Sequence, residues 1–289
     1  MTGPPRAAIA ATLLALFVTP RRAVAFVRSR VDAETERYLY WPERRIALDV
    51  DETGNPDLDP EEMQRAVERS LEEWSRPDCT DLDLAYGSPA TTRATNLLEA
   101  DSPDLQNVLV WRGDDWPEDL GDDVGAITTL VFDLEGVILD GDIDMNGAGF
   151  VWTTTDDSTG IDVQSNVTHE VGHLIGFDHT VDRDATMYFS MVEGDLSRRD
   201  LAPTDLAGLC FAYPAGEPTP EGTVPEEPES RDQADGCAAV RDGQPGHGAT
   251  LLVLLVLGAA RTSRRVIDAG RPPRAPAPSA RRTPRECEG

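Results

Sequence analysis

The stretch HEVGHLIGFDH, at residues 169–179, carries the strongest structural information in this sequence. His169 and His173 are four positions apart, so on a helix of 3.6 residues per turn both imidazoles point the same way. Gly176 follows the last apolar residues of that helix, where a left-handed C-cap would turn the chain back. His179 would then return to the other two imidazoles. The spacing therefore predicts a helix, a tight reversal and three histidines around one point.

Three histidines in this arrangement suit a catalytic zinc ion. Neutral imidazole binds zinc at about 2.0–2.1 Å, and three protein ligands leave the fourth position open for water. Glu170 is not needed as a ligand, and its carboxylate can take a proton from water whose pKa zinc has lowered to about 7. The chain has 4 His, three of them in this stretch, so an amphipathic helix with chance histidines is the disfavoured alternative.

The same stretch resembles a known family signature. HEVGHLIGFDH matches HExxHxxGxxH, the long zinc signature of the metzincin metalloproteases. Downstream, Ala185-Thr186-Met187-Tyr188 resembles their Met-turn, the tight loop beneath the zinc. A Met followed directly by Tyr is most similar to the matrixin (matrix metalloproteinase-like) branch. This resemblance covers about residues 40–214 and implies a secreted or surface-attached zinc endopeptidase.

The resemblance also implies roles for individual residues. His169, His173 and His179 would hold one catalytic zinc, Glu170 would activate the attacking water, and Met187 would lie beneath the metal without touching substrate. The partner would be a protein or peptide lying extended along an edge strand of the sheet. Substrate-binding candidates are Gly125, Ala126 and Ile127 on that edge, and Tyr188, Phe189 and Met191 on the wall of the main specificity pocket.

Hydrophobic periodicity predicts the elements around this stretch. Asp59 and Asp162 are the expected N-caps of two long helices, and a third helix is expected at 204–211. Strands are expected at 45–50, 82–86, 107–111, 124–132 and 137–145. This order is similar to the matrixin catalytic domain. The predicted fold class is therefore α+β, with a twisted five-stranded mixed sheet, two long helices and a C-terminal helix.

The sequence also allows predictions about a calcium site and a second, structural zinc site. Residues 142–147, DIDMNG, fit the opening of a calcium loop, but Thr153 stands where the bidentate Glu is expected, so a strand is favoured there. Matrixins place calcium near this region, which keeps Ca²⁺ a candidate. Matrixins also carry a structural zinc with several histidine ligands. The one His outside the stretch is His247, so that second zinc is predicted to be absent.

Composition and the N-terminus indicate export. Acidic residues outnumber basic ones by 53 to 26, which argues against nucleic-acid binding and suits a well solvated extracellular protein. Residues 1–25 are predicted to be a signal peptide, with an apolar run at 7–18 and the small-residue cleavage site Ala23-Val24-Ala25. Residues 26–214 then form the catalytic domain. In an exported protein Cys79 and Cys210 are expected to form a disulfide, with two buried thiols as the alternative.

The C-terminal part has a different composition. Residues 215–246 are rich in Pro, Glu, Gly and Asp and predict a disordered tether, and 267–289 predict an Arg/Pro-rich disordered tail. Between them, 247–266 hold a short apolar segment that ends in an Arg cluster. With Gly236-Cys237 before it, this end resembles the C-terminal sorting tags of myxobacterial surface proteins. The resemblance implies attachment to a membrane or cell surface, with the protein on the outer membrane or outside the cell.

The sequence thus predicts a zinc metalloendopeptidase that acts as a monomer. The alternative from another class is a surface-tethered binding or adhesive protein on a non-catalytic protease fold. Loss of the Glu, of a ligand or of the Met would favour that alternative, and Glu170, the three histidines and Met187 are all present.

Overall fold

The structure is a computed structural model that describes residues 26–90, 92–98, 105–121, 123–156, 159–220, 237–240 and 253–255. The predicted signal peptide and the predicted tail lie outside these residues. The helices are α1 (Pro60–Ser75), α2 (Val163–Leu174) and α3 (Pro203–Ala212). The strands are β1 (Val27–Arg28), β2 (Arg45–Asp51), β3 (Asp83–Ala90), β4 (Val108–Arg112), β5 (Val124–Phe132), β6 (Ile138–Asn146), β7 (Trp152–Thr153), β8 (Ile161–Asp162), β9 (Phe177–Asp178), β10 (Ser190–Val192), β11 (Cys237–Val240) and β12 (Val253–Leu255).

Five strands form a mixed sheet within residues 26–214, the range predicted to be the catalytic domain, in the order β3-β2-β4-β6-β5. The pairs β2/β3, β2/β4 and β4/β6 are parallel, and β5/β6 is antiparallel. Together with three helices, this sheet confirms the predicted α+β fold class. β5 has the predicted bounds, whereas β3 extends four residues beyond the predicted end at residue 86.

The two long helices pack against each other beside this sheet. Asp59 begins α1 by accepting hydrogen bonds from the amides of Glu61 and Glu62, which would otherwise lack partners in the first turn. Trp74, near the end of α1, donates its indole N–H to the carbonyl of Thr168 on α2, at 2.8 Å. Gly141 on β6 leaves room for α2, since a Cβ there would lie 2.5 Å from Leu174 Cδ1. These contacts hold α2 against the sheet.

The aspartates of β6 face away from the helices and are buried by residues 92–98. Asn96 donates hydrogen bonds to the carboxylates of Asp140 and Asp142, and Arg112 donates from Nε to Asp144 Oδ1 at 2.6 Å. Burial raises the pKa of Asp142 to about 8. The strand favoured for this segment is the one observed, and protein donors contact at least one carboxylate oxygen of each of the three aspartates.

Two short strands pair with the outer edge of β5. β11 runs antiparallel to β5, with Cys237 opposite Ala126, and parallel to β10. β12 runs parallel to β5, with Val253 opposite Leu130. These strands lie within the tether predicted for 215–246 and the apolar segment predicted for 247–266, and both of those assignments stay predictions. A strand edge offers N–H and C=O groups to any nearby segment, and composition does not reveal such pairing.

Within the described ranges, no helix is both long and apolar enough to cross a lipid bilayer.

A disulfide joins the end of α1 to α3. Cys79 follows α1, Cys210 lies in α3, and their Cα atoms are 5.2 Å apart. Backbone contacts accompany this bond: the amide of Ala215 donates to the carbonyl of Cys79 at 2.9 Å, and Thr80 forms a β-bridge with Pro214. The C-terminal end of the domain is thereby fixed to the first helix.

Candidate metal centre

Helix α2 carries two of the three histidines. It begins at Asp162, whose carboxylate accepts a hydrogen bond from the amide of Ser165 at 2.8 Å. All twelve residues of α2 are buried. His169 and His173 lie one turn apart on this helix, and their ring centroids are 4.8 Å apart. Because the helix is enclosed on every side, its two imidazoles have fixed positions.

Gly176 brings the third histidine back to the helix. Its φ is +87°, a left-handed conformation that L side chains rarely adopt, and a Cβ there would lie 2.5 Å from the carbonyl oxygen of Leu39. The Gly176 amide donates to the carbonyl of His173, which closes the end of the helix. The chain then continues through β9 to His179. This is the reversal predicted from the sequence.

The three imidazoles converge on one point. His179 Nε2 lies 3.3 Å from Nε2 of His169 and 3.1 Å from Nε2 of His173. Two imidazole nitrogens that share a tetrahedral zinc at 2.0–2.1 Å are about 3.3 Å apart. In the part of the chain that the structure describes, these histidines are the one group of at least three His, Cys, Asp or Glu residues that could hold a metal. The donor set and its spacing therefore fit zinc.

Hydrogen bonds to the other ring nitrogens fix the tautomers. His169 Nδ1 lies 2.5 Å from the carbonyl oxygen of Thr186, and His173 Nδ1 lies 2.8 Å from that of Phe177. A carbonyl accepts only, so each Nδ1 carries the proton and each Nε2 keeps its lone pair for a metal. Burial, and then the neighbouring histidines, lower the pKa of His169 and of His179 well below the usual value. The neutral, metal-binding form is thus the favoured one.

Glu170 lies beside these ligands on α2 and is fully buried. Its Oε2 accepts a hydrogen bond from Thr128 Oγ1 on β5, at 2.7 Å. Its Oε1 is also buried and has no hydrogen-bond partner within the described residues. One carboxylate oxygen is therefore held in place, and the lone pairs of the other face no donor among the described residues.

Met187 packs directly beneath α2. A Cβ on Gly172 would lie 2.2 Å from Met187 Sδ, so only glycine permits this close approach. The turn that carries Met187 is held by Asp205 of α3, whose carboxylate accepts from the amides of Thr186 at 2.7 Å and Met187 at 3.1 Å. Since the carbonyl of Thr186 contacts His169 Nδ1, Asp205 supports a metal ligand through this turn. Sequence analysis missed both Gly172 and Asp205.

The D205A variant should be less stable than the wild type by about 3 kcal/mol in free energy of unfolding. The substitution leaves the buried amides of Thr186 and Met187 without their acceptor. Urea denaturation measures the difference, and D184A, which removes an exposed aspartate from the same loop, is the control. Equal stability of D205A and D184A would contradict this role for Asp205.

The predicted wall of the specificity pocket lies beside the ligands. The Phe189 ring centroid is 6.4 Å from that of His179, and Met191 is buried in β10. Arg198 donates to the carbonyl oxygens of Tyr188, at 2.9 Å, and Ser190, and so fixes the backbone of this segment. Sequence analysis also missed Arg198.

The predicted edge residues Gly125, Ala126 and Ile127 lie on β5. Ala126 and Ile127 are buried, and Ala126 is opposite Cys237 of β11 in the sheet. The roles of these residues, and of the wall segment, in substrate binding stay predictions.

Comparison with known proteins agrees with this geometry. Residues 112–213 match the family model of the matrixins. That range contains the three histidines, Glu170 and Met187. The chain is also 28% identical over 219 residues to "Metalloendoproteinase 5-MMP" of Arabidopsis thaliana. The alignment covers 72% of this chain and 56% of that protein, so the chain spans little more than half the length of this relative. Both findings support a matrixin-like metalloprotease.

Proposed function

We propose that this chain is an exported, zinc-dependent endopeptidase that hydrolyses protein or peptide substrates. The observation that carries the proposal is the convergence of three imidazole Nε2 atoms, two of them from the same helix that carries the buried carboxylate of Glu170. Structural zinc sites are closed by four protein ligands. In the described part of the chain this group has three members, which suits a site with an open position for water.

The metal and Glu170 have different roles in the proposed reaction. Zinc held by His169, His173 and His179 supplies Lewis-acid chemistry toward water and a peptide carbonyl. Glu170 Oε1 accepts the proton of the attacking water. The protonated carboxyl then donates that proton to the leaving amine, which returns Glu170 to its starting state. The burial of α2 keeps the carboxylate and the imidazoles in place during both transfers.

The substrate is proposed to lie extended between β5 and β10. Its backbone would pair with Gly125, Ala126 and Ile127, and one side chain would enter the pocket beside Tyr188, Phe189 and Met191. β11 pairs with the same stretch of β5, at Ala126. A peptide that binds along this edge therefore has to displace β11.

Metal content and proteolysis test the proposed function together. The purified secreted protein is assayed for zinc and for cleavage of a peptide library, before chelation, after chelation and after zinc is restored. The proposal expects one zinc per chain and cleavage that chelation abolishes and zinc restores. A zinc-loaded protein that cleaves none of the peptides would overturn the proposal and favour the binding-protein alternative.

Attachment through the C-terminus is the second part of the proposal. The apolar run at 249–260 would be about 18 Å long as a helix, well short of a hydrocarbon core of about 30 Å. It is therefore proposed to act as a transient membrane stop that is processed near Cys237.

Calcium binding remains a proposal as well, and isothermal titration of the purified protein with calcium measures it.

Deletion of residues 236–289 should release the protein from the cell surface. Without the apolar run and its Arg cluster, nothing in the remaining chain resembles a sorting tag. Cell fractionation compares the truncated and full-length proteins, and C237A tests the proposed processing site separately. If the truncated protein still sediments with membranes as the full-length one does, the C-terminus is not the anchor.

A further inference from the structure

Thr128 on β5 contacts Glu170 on α2, across the interface where the helix packs against the sheet. It lies on β5, opposite Ile143 of β6 in the sheet register, and is buried. Its Oγ1 is 2.7 Å from Glu170 Oε2 and 3.2 Å from the main-chain carbonyl oxygen of Glu170. Both oxygens of Glu170 that it contacts are acceptors, so Thr128 is the donor.

Of these two oxygens, the carboxylate Oε2 and not the main-chain carbonyl accepts the hydrogen bond from Thr128. A hydroxyl has a single proton, and the carboxylate oxygen is nearer to it than the carbonyl oxygen is. Hydrogen bonds to a carboxylate are short and about twice as strong as those between neutral groups. The β-branched side chain of Thr128 also has few χ1 rotamers, and its strand is paired on β6, so the direction of the donor is fixed.

We infer that Thr128 is a positioning residue for proton transfer by Glu170. The inference rests on the proposed function. Thr128 holds Oε2, and a planar carboxylate held at one oxygen has the direction of its other oxygen fixed as well. That other oxygen, Oε1, is buried and has no hydrogen-bond partner in the described ranges, so its lone pairs are available to a reacting water. Thr128 thus keeps Glu170 in one orientation without touching the substrate.

Thr129 provides a matched control on the same strand. It is fully buried like Thr128, but it is the next residue on β5 and so points to the opposite face of the sheet. Its Oγ1 has no hydrogen-bond partner among the described residues. The T128V and T129V variants therefore make the same chemical change at neighbouring buried sites, and only T128V removes a donor from Glu170.

Steady-state kinetics of the zinc-loaded protein tests the inference. T128V should lower kcat about 10- to 100-fold, the loss expected when a hydrogen bond to a charged group is removed, with KM within about twofold of wild type. T128S keeps the hydroxyl and should recover most of kcat. T129V should leave kcat and KM unchanged. Zinc content should be one per chain in all three variants, since none of them changes a ligand.

Crystal structures of zinc-loaded wild type and T128V give a second readout that does not depend on activity. The Glu170 carboxylate should have one orientation in the wild type and a different or mixed orientation in T128V. If T128V melts far below T129V, T128A takes its place, because it also removes the donor and adds no second methyl group.

The outcomes separate this inference from the proposed function. An active wild type together with a T128V kcat equal to it, or an equal loss in T129V, overturns the positioning role and leaves the endopeptidase proposal standing. An unchanged Glu170 orientation in T128V overturns it as well. A zinc-loaded wild type that cleaves no peptide overturns the proposed function, and the inference falls with it.

Discussion

The E170A variant should keep one zinc ion per chain and lose about 10²- to 10⁴-fold in kcat for peptide hydrolysis. Glu170 lies next to His169 on α2 but is not among the three residues whose nitrogens converge, so its removal leaves the ligands in place. The carboxylate is buried, and alanine leaves no side-chain group at this position that can accept a proton. Zinc analysis and turnover of a fluorogenic peptide, measured on the same preparation, give both quantities.

Two further variants separate the loss of proton transfer from the loss of the metal. E170Q keeps the shape of the side chain and its contact with Thr128 but cannot accept a proton, so it should be as inactive as E170A. H173A removes a ligand and should lose the metal itself. A zinc-free E170A would show that the carboxylate ligates the metal, and wild-type turnover by E170A would remove Glu170 from the mechanism.

The ligand geometry could be predicted from sequence because it is local. His169, His173 and His179 fall within eleven residues, and helix periodicity plus one glycine reversal is enough to bring them together. The support of the site is not local. Thr128 is 42 residues before Glu170, and Asp205 is 18 residues after Met187. Neither partnership follows from periodicity, because each depends on how a strand or a helix docks against α2.

The same distinction between local and non-local interactions holds for the fold. Runs of alternating or continuous apolar residues predicted the five strands of the sheet, and β5 was predicted with its observed bounds. The row of aspartates on β6 lies within the strand predicted at 137–145. The donors that cover it, Asn96 and Arg112, come from other parts of the chain. β11 and β12 were not predicted, since their pairing depends on the free edge of β5 and not on their own composition.

Removal of the Cys79–Cys210 disulfide should lower the free energy of unfolding by about 4–5 kcal/mol. The bond closes a loop of 131 residues that contains α2, the three histidines and most of the sheet. On the chain-entropy model, a loop of that length restricts the unfolded chain strongly while the folded state changes little. For a domain of this size the loss corresponds to a melting temperature lower by about 10–20 °C. The C79A/C210A double variant, denatured in urea beside the oxidised wild type, measures it.

The other two cysteines of the chain supply the control. C237A/C287A replaces the same number of cysteines outside residues 26–214 and should unfold at the wild-type urea concentration. The loss in C79A/C210A should also reach the metal centre, because α3 carries both Cys210 and Asp205, and Asp205 holds the turn beneath the zinc. Zinc should therefore dissociate from C79A/C210A at a lower urea concentration than from C237A/C287A. Peptide mapping of the secreted protein without reductant should recover Cys79 and Cys210 in one linked fragment. Free thiols at both positions would contradict the prediction.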